Sequence, residues 1–291
     1  MKNGTKLRWY IKMPLKAILT RIPLSHKIKS KLGVFNKGKM EDFSYAKGVF
    51  TKHISRAGLL EKEKNIDKVV LELGPGESLF SALLAKSYFF KSSLLIDAGN
   101  YVLPGLDVYQ NFAQWLSNEG LPCPPITDCI SVDSMLSVLD SKFLTAGLNS
   151  LRSLPDATVD LIFSQAVLEH IRKNEFAKIA KEFWRVLKPG GVSTHVIDFK
   201  DHLEESLNHL RFSDQIWEAE WMASSGFYTN RIRLSEMIHI FEDQGFKVEI
   251  LEKKEWEIIP IPKEHLNSRF KNMADAELKI SGATLRFFKP A

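Results

Sequence analysis

The sequence is poor in the residues and runs that mark several protein classes. It has only two cysteines, Cys123 and Cys129, which provide neither a disulfide framework nor enough ligands for a structural zinc site. No stretch approaches the roughly 18 uninterrupted apolar residues that a membrane span needs. We therefore expect a protein of the reducing cytoplasm.

Acidic residues are missing from the first forty positions, which contain eleven Lys and Arg. The whole chain has a net charge of +5, so residues 41–291 carry a net charge of −6. This balance argues against a nucleic-acid-binding face over the whole protein. The sequence thus predicts a basic arm over 1–40 and one domain over 41–291. The arm's lysines and apolar residues such as Trp9 and Leu15 fit either an anionic membrane face or a solvated extension.

Apolar segments with two different periods alternate along the chain from residue 66. Aliphatic runs typical of buried strands cover 68–73, 92–97, 143–146, 159–164, 191–199, 247–251 and 283–288. Helical spacing is found between several of them, at 78–87, 173–187 and 234–244. Strands separated by helices predict a parallel sheet covered on both faces, interrupted by long insertions at about 98–142 and 200–231.

The first predicted strand runs into the segment VVLELGPGESLF, residues 69–80, where an acidic residue and two glycines follow aliphatic residues. Gly74 and Gly76 allow a sharp bend and a close backbone approach to a ligand beyond the strand's carboxyl end. A dinucleotide site needs a third glycine at Leu79, and Glu72 would repel its pyrophosphate, so a dehydrogenase is disfavoured. The carboxylate suits a cationic ligand instead, such as S-adenosylmethionine with its sulfonium and ammonium groups.

At these residues the chain resembles the class I S-adenosylmethionine-dependent methyltransferases, over roughly residues 66–290. The family's E-x-G-x-G motif begins at Glu72, and LEH at 168–170 and LKPGG at 187–191 match its fourth-strand region and its turn into the fifth strand. The resemblance implies a Rossmann-like α/β fold with a seven-stranded, mostly parallel sheet, an antiparallel last strand and helices on both faces. It also implies S-adenosyl-L-methionine as the cofactor.

The resemblance also assigns donor contacts along the chain. Asp97, at the end of the second predicted strand, matches the acidic residue that accepts hydrogen bonds from the ribose hydroxyls. Asn149 stands where the family usually has an acidic residue for the adenine amino group, so it is either that contact or a plain turn residue. The cofactor-binding residues expected in this way are Glu72, Gly74, Gly76, Asp97, Asn149, Ser164 and Gln165.

Methyl transfer to a hydroxyl needs a general base, because a neutral alcohol is a poor nucleophile. The segment THVIDFKDH, at the end of the fifth predicted strand, offers His195, Asp198 and His202 as candidate catalytic residues. The same side chains fit two other roles, capping of the strand end and binding of a divalent metal, but no spacing requires a metal and we predict none. SQAV at 164–167 lacks the N/D-P-P-Y/F-type motif of enzymes that methylate nucleic-acid bases.

Aromatic and cationic residues in the second insertion suit a sugar ring or an anionic group. Together with one residue after the fourth strand, the predicted acceptor-binding set is His170, Arg211, Trp217, Tyr228 and Arg231. The insertion residues fit equally a lid packed by its own aromatic side chains.

A closer resemblance concerns the acceptor. RFS at 211–213 and YTNRIR at 228–233 resemble segments of bacterial methyltransferases of glycan and surface-polysaccharide pathways. The expected function is therefore O-methylation of a small molecule or glycan, and a non-catalytic S-adenosylmethionine-binding regulator is the alternative. An acceptor on a lipid carrier would explain the basic arm and would place the protein at the inner membrane face. The sequence does not define an oligomeric state.

Overall fold

A computed structural model describes residues 8–14 and 42–291. Residues 9–14 are helical, and the rest of the predicted arm, with the membrane contact expected of it, lies outside the described residues.

The described part of the chain forms a single seven-stranded sheet. Its strands are β1 (Val69–Leu73), β2 (Ser92–Ile96), β3 (Ser141–Leu144), β4 (Val159–Gln165), β5 (Leu187–Asp198), β6 (Lys247–Glu255) and β7 (Ile280–Phe288). Their order in the sheet is β3-β2-β1-β4-β5-β7-β6. β7 runs antiparallel to both of its neighbours, and the other neighbouring pairs are parallel. The predicted Rossmann-like α/β fold with an antiparallel last strand is confirmed.

Helices occupy the connections between the strands. They are α1 (Phe43–Arg56), α2 (Phe80–Ser87), α3 (Leu106–Asn118), α4 (Val132–Val138), α5 (Leu148–Arg152), α6 (Lys173–Val186), α7 (Asp214–Trp217), α8 (Glu220–Ala223), α9 (Leu234–Glu242), α10 (Ser268–Lys271) and α11 (Asp275–Leu278). Short 3-10 turns cover Lys62–Asn65, Leu168–His170, Asn208–Arg211 and Lys263–His265.

Two apolar cores lie on opposite faces of the sheet. One contains Phe183 of α6 and Phe241 of α9, and the other contains Phe50 of α1 and Phe80 of α2. The central strands are therefore covered on both faces, and a polar side chain in the middle of such a strand needs a partner inside the protein.

The sheet has a switch point between β1 and β4. From β1 the chain builds outward through β2 to β3 and then returns to the other side of β1 as β4. Ligands of open α/β sheets bind in the crevice outside the carboxyl ends of the strands at such a point. Glu72 is in register with Phe163 of β4, so the glycine bend directly after it lies at this crevice.

Candidate functional site

The bend after β1 uses its two glycines for different purposes. Gly74 has φ 72° and Gly76 has φ 68°, a backbone region that other residues rarely adopt. A Cβ atom on Gly74 would lie 2.5 Å from Cγ2 of Val167, whereas nothing lies within 4 Å of a Cβ on Gly76. Gly74 therefore lets the bend pack against the turn after β4, and Gly76 leaves space for a ligand beside the backbone.

Asp97 lies directly beside this bend. Its Oδ2 accepts the Gly76 N–H (3.0 Å), and its Oδ1 accepts the Ala98 N–H (2.7 Å). Burial raises the pKa of Asp97, and these two hydrogen bonds oppose the rise. Each carboxylate oxygen has a further lone pair, so the half-buried side chain can also accept hydrogen bonds from a diol.

Glu72 is the buried acid of the site. Its side chain ends under the bend with the residue only 4% exposed, and its Oε2 has no hydrogen-bond partner among the described residues. Burial raises the pKa of Glu72 to about 8, with Asp97 adding to the rise and a hydrogen bond with Ser81 opposing it. An unpartnered buried carboxyl group is unfavourable by itself. A cationic group in the crevice would satisfy it, so these residues fit the predicted donor.

Asn149 and Gln165 are the remaining predicted donor-binding residues near Glu72 and Asp97. Asn149 is exposed in α5, two residues after Gly147, whose N–H donates to the backbone oxygen of Asp97 (2.9 Å). Gln165 is half-buried at the carboxyl end of β4. The backbone at the start of α5 thus lies beside Asp97, and donor contacts of Asn149 and Gln165 stay predictions.

Sequence reasoning missed His53 of α1, which contacts Gln165. The buried ring places Nε2 3.3 Å from Gln165 Oε1 and Nδ1 2.8 Å from Thr194 Oγ1. Burial, reinforced by Arg56, lowers the pKa of His53 to about 3, so the ring is neutral. His53 shares the buried face of α1 with Ala46, Val49, Phe50 and Ile54, and this helical spacing was the available signal.

Two predicted site residues belong to the core instead, and both are corrections. The ring of His195 is completely buried, with Nδ1 2.7 Å from Ser164 Oγ and Nε2 bonded to Ser193 Oγ. It stacks on Phe183, and burial lowers its pKa well below the usual value. Since β5 lies between β4 and β7, His195 cannot reach an acceptor, and Ser164 serves this inner histidine rather than the donor.

The other candidate catalytic residues do come together at the carboxyl ends of β4 and β5. Asp198 ends β5, half-buried, and its backbone N–H donates to Glu169 Oε1 (3.1 Å). His202 follows in the next loop, and its Nε2 lies 3.2 Å from Nε2 of His170. The electrostatic influence of Asp198 on His170 connects the carboxylate to this pair of imidazoles.

Asp201 shapes the loop that carries His202. Its buried carboxylate accepts the backbone N–H groups of Leu203, Glu204, Ser206 and Asn208 at 2.7–3.0 Å. A carboxylate bound by several N–H groups fixes a loop much as a cap fixes a helix end. The position of His202 is therefore defined by its neighbour.

The described residues contain no group of three or more His, Cys, Asp and Glu side chains that could hold a metal ion. Nor does any helix in 8–14 or 42–291 have the length and apolarity needed to cross a membrane.

Comparison with known proteins identifies the part of the chain that contains the crevice. A family model described as a methyltransferase domain matches residues 71–194. Residues 71–194, less than half of the chain, are thus similar to a methyltransferase domain. A probable S-adenosylmethionine-dependent methyltransferase of Mycolicibacterium smegmatis is 31% identical over 96 residues, which are 33% of this chain and 32% of that protein. The chain thus spans about a third of the length of this curated relative.

Solved structures similar to the chain share little of its sequence. A methyltransferase from Methanosarcina mazei is 20% identical with a TM-score of 0.46 and covers 77% of this chain and 93% of its own. An arsenic(III) S-adenosylmethionine methyltransferase from Chlamydomonas reinhardtii is 18% identical with a TM-score of 0.45, covering 78% and 65%. At these identities and scores they indicate nothing about the acceptor.

The matched segment contains only some of the predicted site residues. Glu72, Asp97 and His170 lie within it, whereas Asp198 and His202 follow its last residue.

The insertion that follows the matched segment is packed by its own aromatic residues, which corrects three predicted acceptor contacts. Trp217 is 1% exposed and its Nε1 donates to the Thr229 backbone oxygen (2.6 Å). Tyr228 is buried, and its hydroxyl donates to Glu218 Oε2 (2.7 Å). Arg231 is buried, and its guanidinium donates to the Phe212 backbone oxygen and to Asp214. These three buried side chains stabilise the insertion.

Arg211 differs from them because it remains half-exposed. Its Nε donates to Asn208 Oδ1 (3.0 Å), and its guanidinium lies 5.4 Å from the centre of the Trp9 ring. Arg211 and His170 are thus the members of the predicted acceptor set that a substrate can reach.

Replacement of the two arginines by methionine should separate these roles. We expect Arg231→Met to destabilise the protein by about 2–4 kcal/mol, because it leaves the Phe212 backbone oxygen without its partner and removes a buried cation from the Asp214 carboxylate, which keeps Lys173 and Arg269. Arg211→Met should change stability by less than about 1 kcal/mol, since its contacts are partly solvated. Urea unfolding of both variants measures the difference, and equal losses would contradict the assignment.

Proposed function

We propose that the whole protein is an S-adenosylmethionine-dependent methyltransferase that transfers a methyl group to a hydroxyl oxygen of a small molecule or glycan. The observation that carries the proposal is the buried Glu72 carboxyl, two residues before Gly74, whose Oε2 has no hydrogen-bond partner within 8–14 and 42–291. A cation bound next to a buried carboxylate stabilises its charged form and offsets the cost of burying it.

Each donor-binding residue contacts a different part of the ligand. Glu72 faces its cationic end, the Gly76 backbone admits its close approach, and Asp97 accepts its ribose hydroxyls. Asn149 and Gln165 border the two flanks. When bound, S-adenosylmethionine supplies an electrophilic methyl group on a sulfonium.

The acceptor side is built from Asp198, His170 and His202, with Arg211 at its border. Asp198 and the imidazoles provide the general base that a hydroxyl acceptor requires. Within YTNRIR, Asn230 Nδ2 donates to the backbone oxygens of Leu168 and Ile171 and so ties the insertion to the turn that carries His170. The glycan acceptor itself is proposed from the sequence resemblance of this segment.

Titration calorimetry tests the donor assignment directly. S-adenosylhomocysteine should bind with micromolar-scale affinity, because the Asp97 and Gly76 contacts do not need the methyl group, whereas NAD should give no heat, because Leu79 stands where a dinucleotide site needs its third glycine. No binding of either the donor or its demethylated product would sink the proposal.

The basic arm is proposed to contact an anionic membrane surface that presents a lipid-linked acceptor. We expect the full chain to pellet with vesicles containing about one third anionic lipid, and a full-length variant with Lys27, Lys29, Lys31, Lys37 and Lys39 changed to Gln to bind at least roughly tenfold less. High salt should release the wild type, because the attraction is screened. Equal pelleting of both proteins would contradict membrane contact through the arm.

A further inference from the structure

A small cavity lies where the turn after β4, the end of β5 and the insertion meet. Its volume is about 10 Å³, which is room for one particle the size of a water molecule or a monatomic ion and for nothing larger. The polar residues that line it come from four separate segments of the chain. They are Glu169, Asp198, His209, Thr229, Arg231 and Arg233.

Polar atoms without a hydrogen-bond partner are concentrated on this lining. Within 8–14 and 42–291, ten buried side-chain nitrogen or oxygen atoms have no partner, and half of them belong to residues of this one cavity. Each of these residues is at most 3% exposed. Since burial of an unpartnered polar atom is unfavourable, the concentration points to a common ligand. The atoms are Glu169 Oε2, His209 Nδ1, Thr229 Oγ1, and Nε of Arg231 and of Arg233.

All five of these atoms can present a hydrogen to such a ligand. The two arginine Nε–H groups can only donate, and the Thr229 hydroxyl and the neutral His209 ring can each donate. Burial raises the pKa of Glu169 to about 8, and the charge of Asp198 adds to the rise, so near pH 7 this carboxyl is protonated and can donate as well. A buried water typically makes about three hydrogen bonds, whereas a halide ion can accept one from every donor around it.

The charge of the lining also favours an anion. Arg233 is fully buried, and its terminal nitrogens donate to three backbone oxygens at 2.6–3.1 Å. Burial lowers the pKa of Arg233 to about 10, with Glu277 opposing the shift, so the guanidinium is still charged at neutral pH. Arg231 is paired with Asp214, but Arg233 forms no ion pair with any described residue. A buried cation of this kind needs a negative charge close by.

We propose that this cavity is a binding site for one monatomic anion of the halide type, such as chloride. The ion accepts hydrogen bonds from the lining and balances the charge of Arg233. It thereby joins the turn that carries Glu169 to the 3-10 turn that carries His209 and to the segment 229–233, so it holds the insertion against the turn after β4. Phosphate, sulfate and carboxylates are too large for a cavity of about 10 Å³.

Thermal unfolding of the full chain tests the site with sodium chloride and sodium bromide as probes. Sodium gluconate, whose anion is too large for the cavity, replaces the halide salts at constant ionic strength. An ion that binds only the folded protein stabilises it by mass action, so exchange of about 100 mM gluconate for either halide should raise Tm by about 2–4 °C in a saturable manner. An equal Tm in all three salts would overturn the proposal.

Two buried threonines provide a matched pair of variants. Thr229→Val keeps the shape of the side chain but removes one hydrogen bond to the ion, so the dissociation constant for bromide should rise about fivefold. The dependence of Tm on bromide concentration gives this constant. Thr284→Val in β7, at a residue that is equally buried, is the control and should leave it unchanged. The wild-type constant in Thr229→Val would place the ion elsewhere and would also overturn the proposal.

A crystal of the wild-type protein grown with sodium bromide gives a readout that needs no variant. We expect an anomalous bromide peak in the cavity, within hydrogen-bond distance of Nε of Arg231 and of Arg233. A water molecule at this position without anomalous signal would show that the cavity holds solvent, and the anion site would then be refuted.

Discussion

Glu72→Gln should weaken donor binding and at the same time stabilise the protein without ligand. The variant keeps the shape of the side chain but loses the carboxylate that faces the cationic donor. Hydrogen bonds to charged groups are worth more than neutral ones, so we expect the dissociation constant for S-adenosylmethionine to rise about 10- to 100-fold. Titration calorimetry at pH 8 measures this loss.

The gain in stability depends on pH in a defined direction. The folded-state pKa of Glu72 is raised from 4.5 to about 8, so between these values the unfolded chain releases a proton that the folded protein keeps. This group therefore lowers wild-type stability as the pH rises from 4.5 to 8. At about 1.4 kcal/mol per pKa unit, the variant should gain a few kcal/mol over the wild type at pH 8 and almost nothing near pH 4.5.

Urea unfolding at both pH values, without donor, measures the gain. Glu264→Gln, at an exposed position, is the control and should change stability little at either pH. Equal stability of wild type and Glu72→Gln at pH 8 would show that the carboxyl is not held in its neutral form.

Alanine substitutions in the bend should separate folding from donor binding. Gly74→Ala combines a left-handed backbone with a Cβ 2.5 Å from the Val167 side chain, so we expect a loss of about 2–5 kcal/mol in stability. Gly76→Ala has the same backbone strain but no clash, and should lose only about 1–2 kcal/mol. Its new methyl group enters the space where the donor approaches Asp97, so donor affinity should fall at least about tenfold.

Gly48→Ala provides the matched control within the same chain. Gly48 lies inside α1 with no atom within 4 Å of an added Cβ, so alanine should stabilise the protein by about 0.5–1 kcal/mol and leave donor binding unchanged. Thermal unfolding and calorimetry on the three variants check both quantities. Undiminished donor affinity in Gly76→Ala would place the ligand elsewhere.

Much of the fold was predictable because each element has a clear apolar period. The helix predicted at 173–187 matches α6, whose buried residues repeat every three or four positions. The third strand lies at Ser141–Leu144 rather than 143–146, because an edge strand of four residues has too few apolar positions to define its register. α1 was missed because His53 interrupts its apolar face with a polar side chain that becomes buried only through Thr194 and Gln165.

Site residues were predictable where the backbone conformation requires a particular amino acid. They were less predictable where the only signal was a side chain of a chemically suitable type. Gly74, Gly76 and Asp97 lie together because the bend itself needs them. His195 was misplaced even though the predicted strand at 191–199 already put it four residues before the strand's end, inside the sheet. Arg231 and Trp217 are also residues that recognise sugars elsewhere, and only their long-range partners show that they hold the insertion together.

The helical segment 9–14 rests on the loop that carries His202. The Trp9 N–H donates to Glu204 Oε1 (2.7 Å), and Lys12 Nζ donates to the Leu203 backbone oxygen (2.8 Å). Thermodynamic linkage is reciprocal, so if the docked segment favours acceptor binding, a partner that draws it away weakens acceptor binding by the factor by which the acceptor weakens binding of that partner. Acceptor binding and the docking of segment 9–14 on this loop would then be coupled equilibria, and a measurement of either one would report on the other.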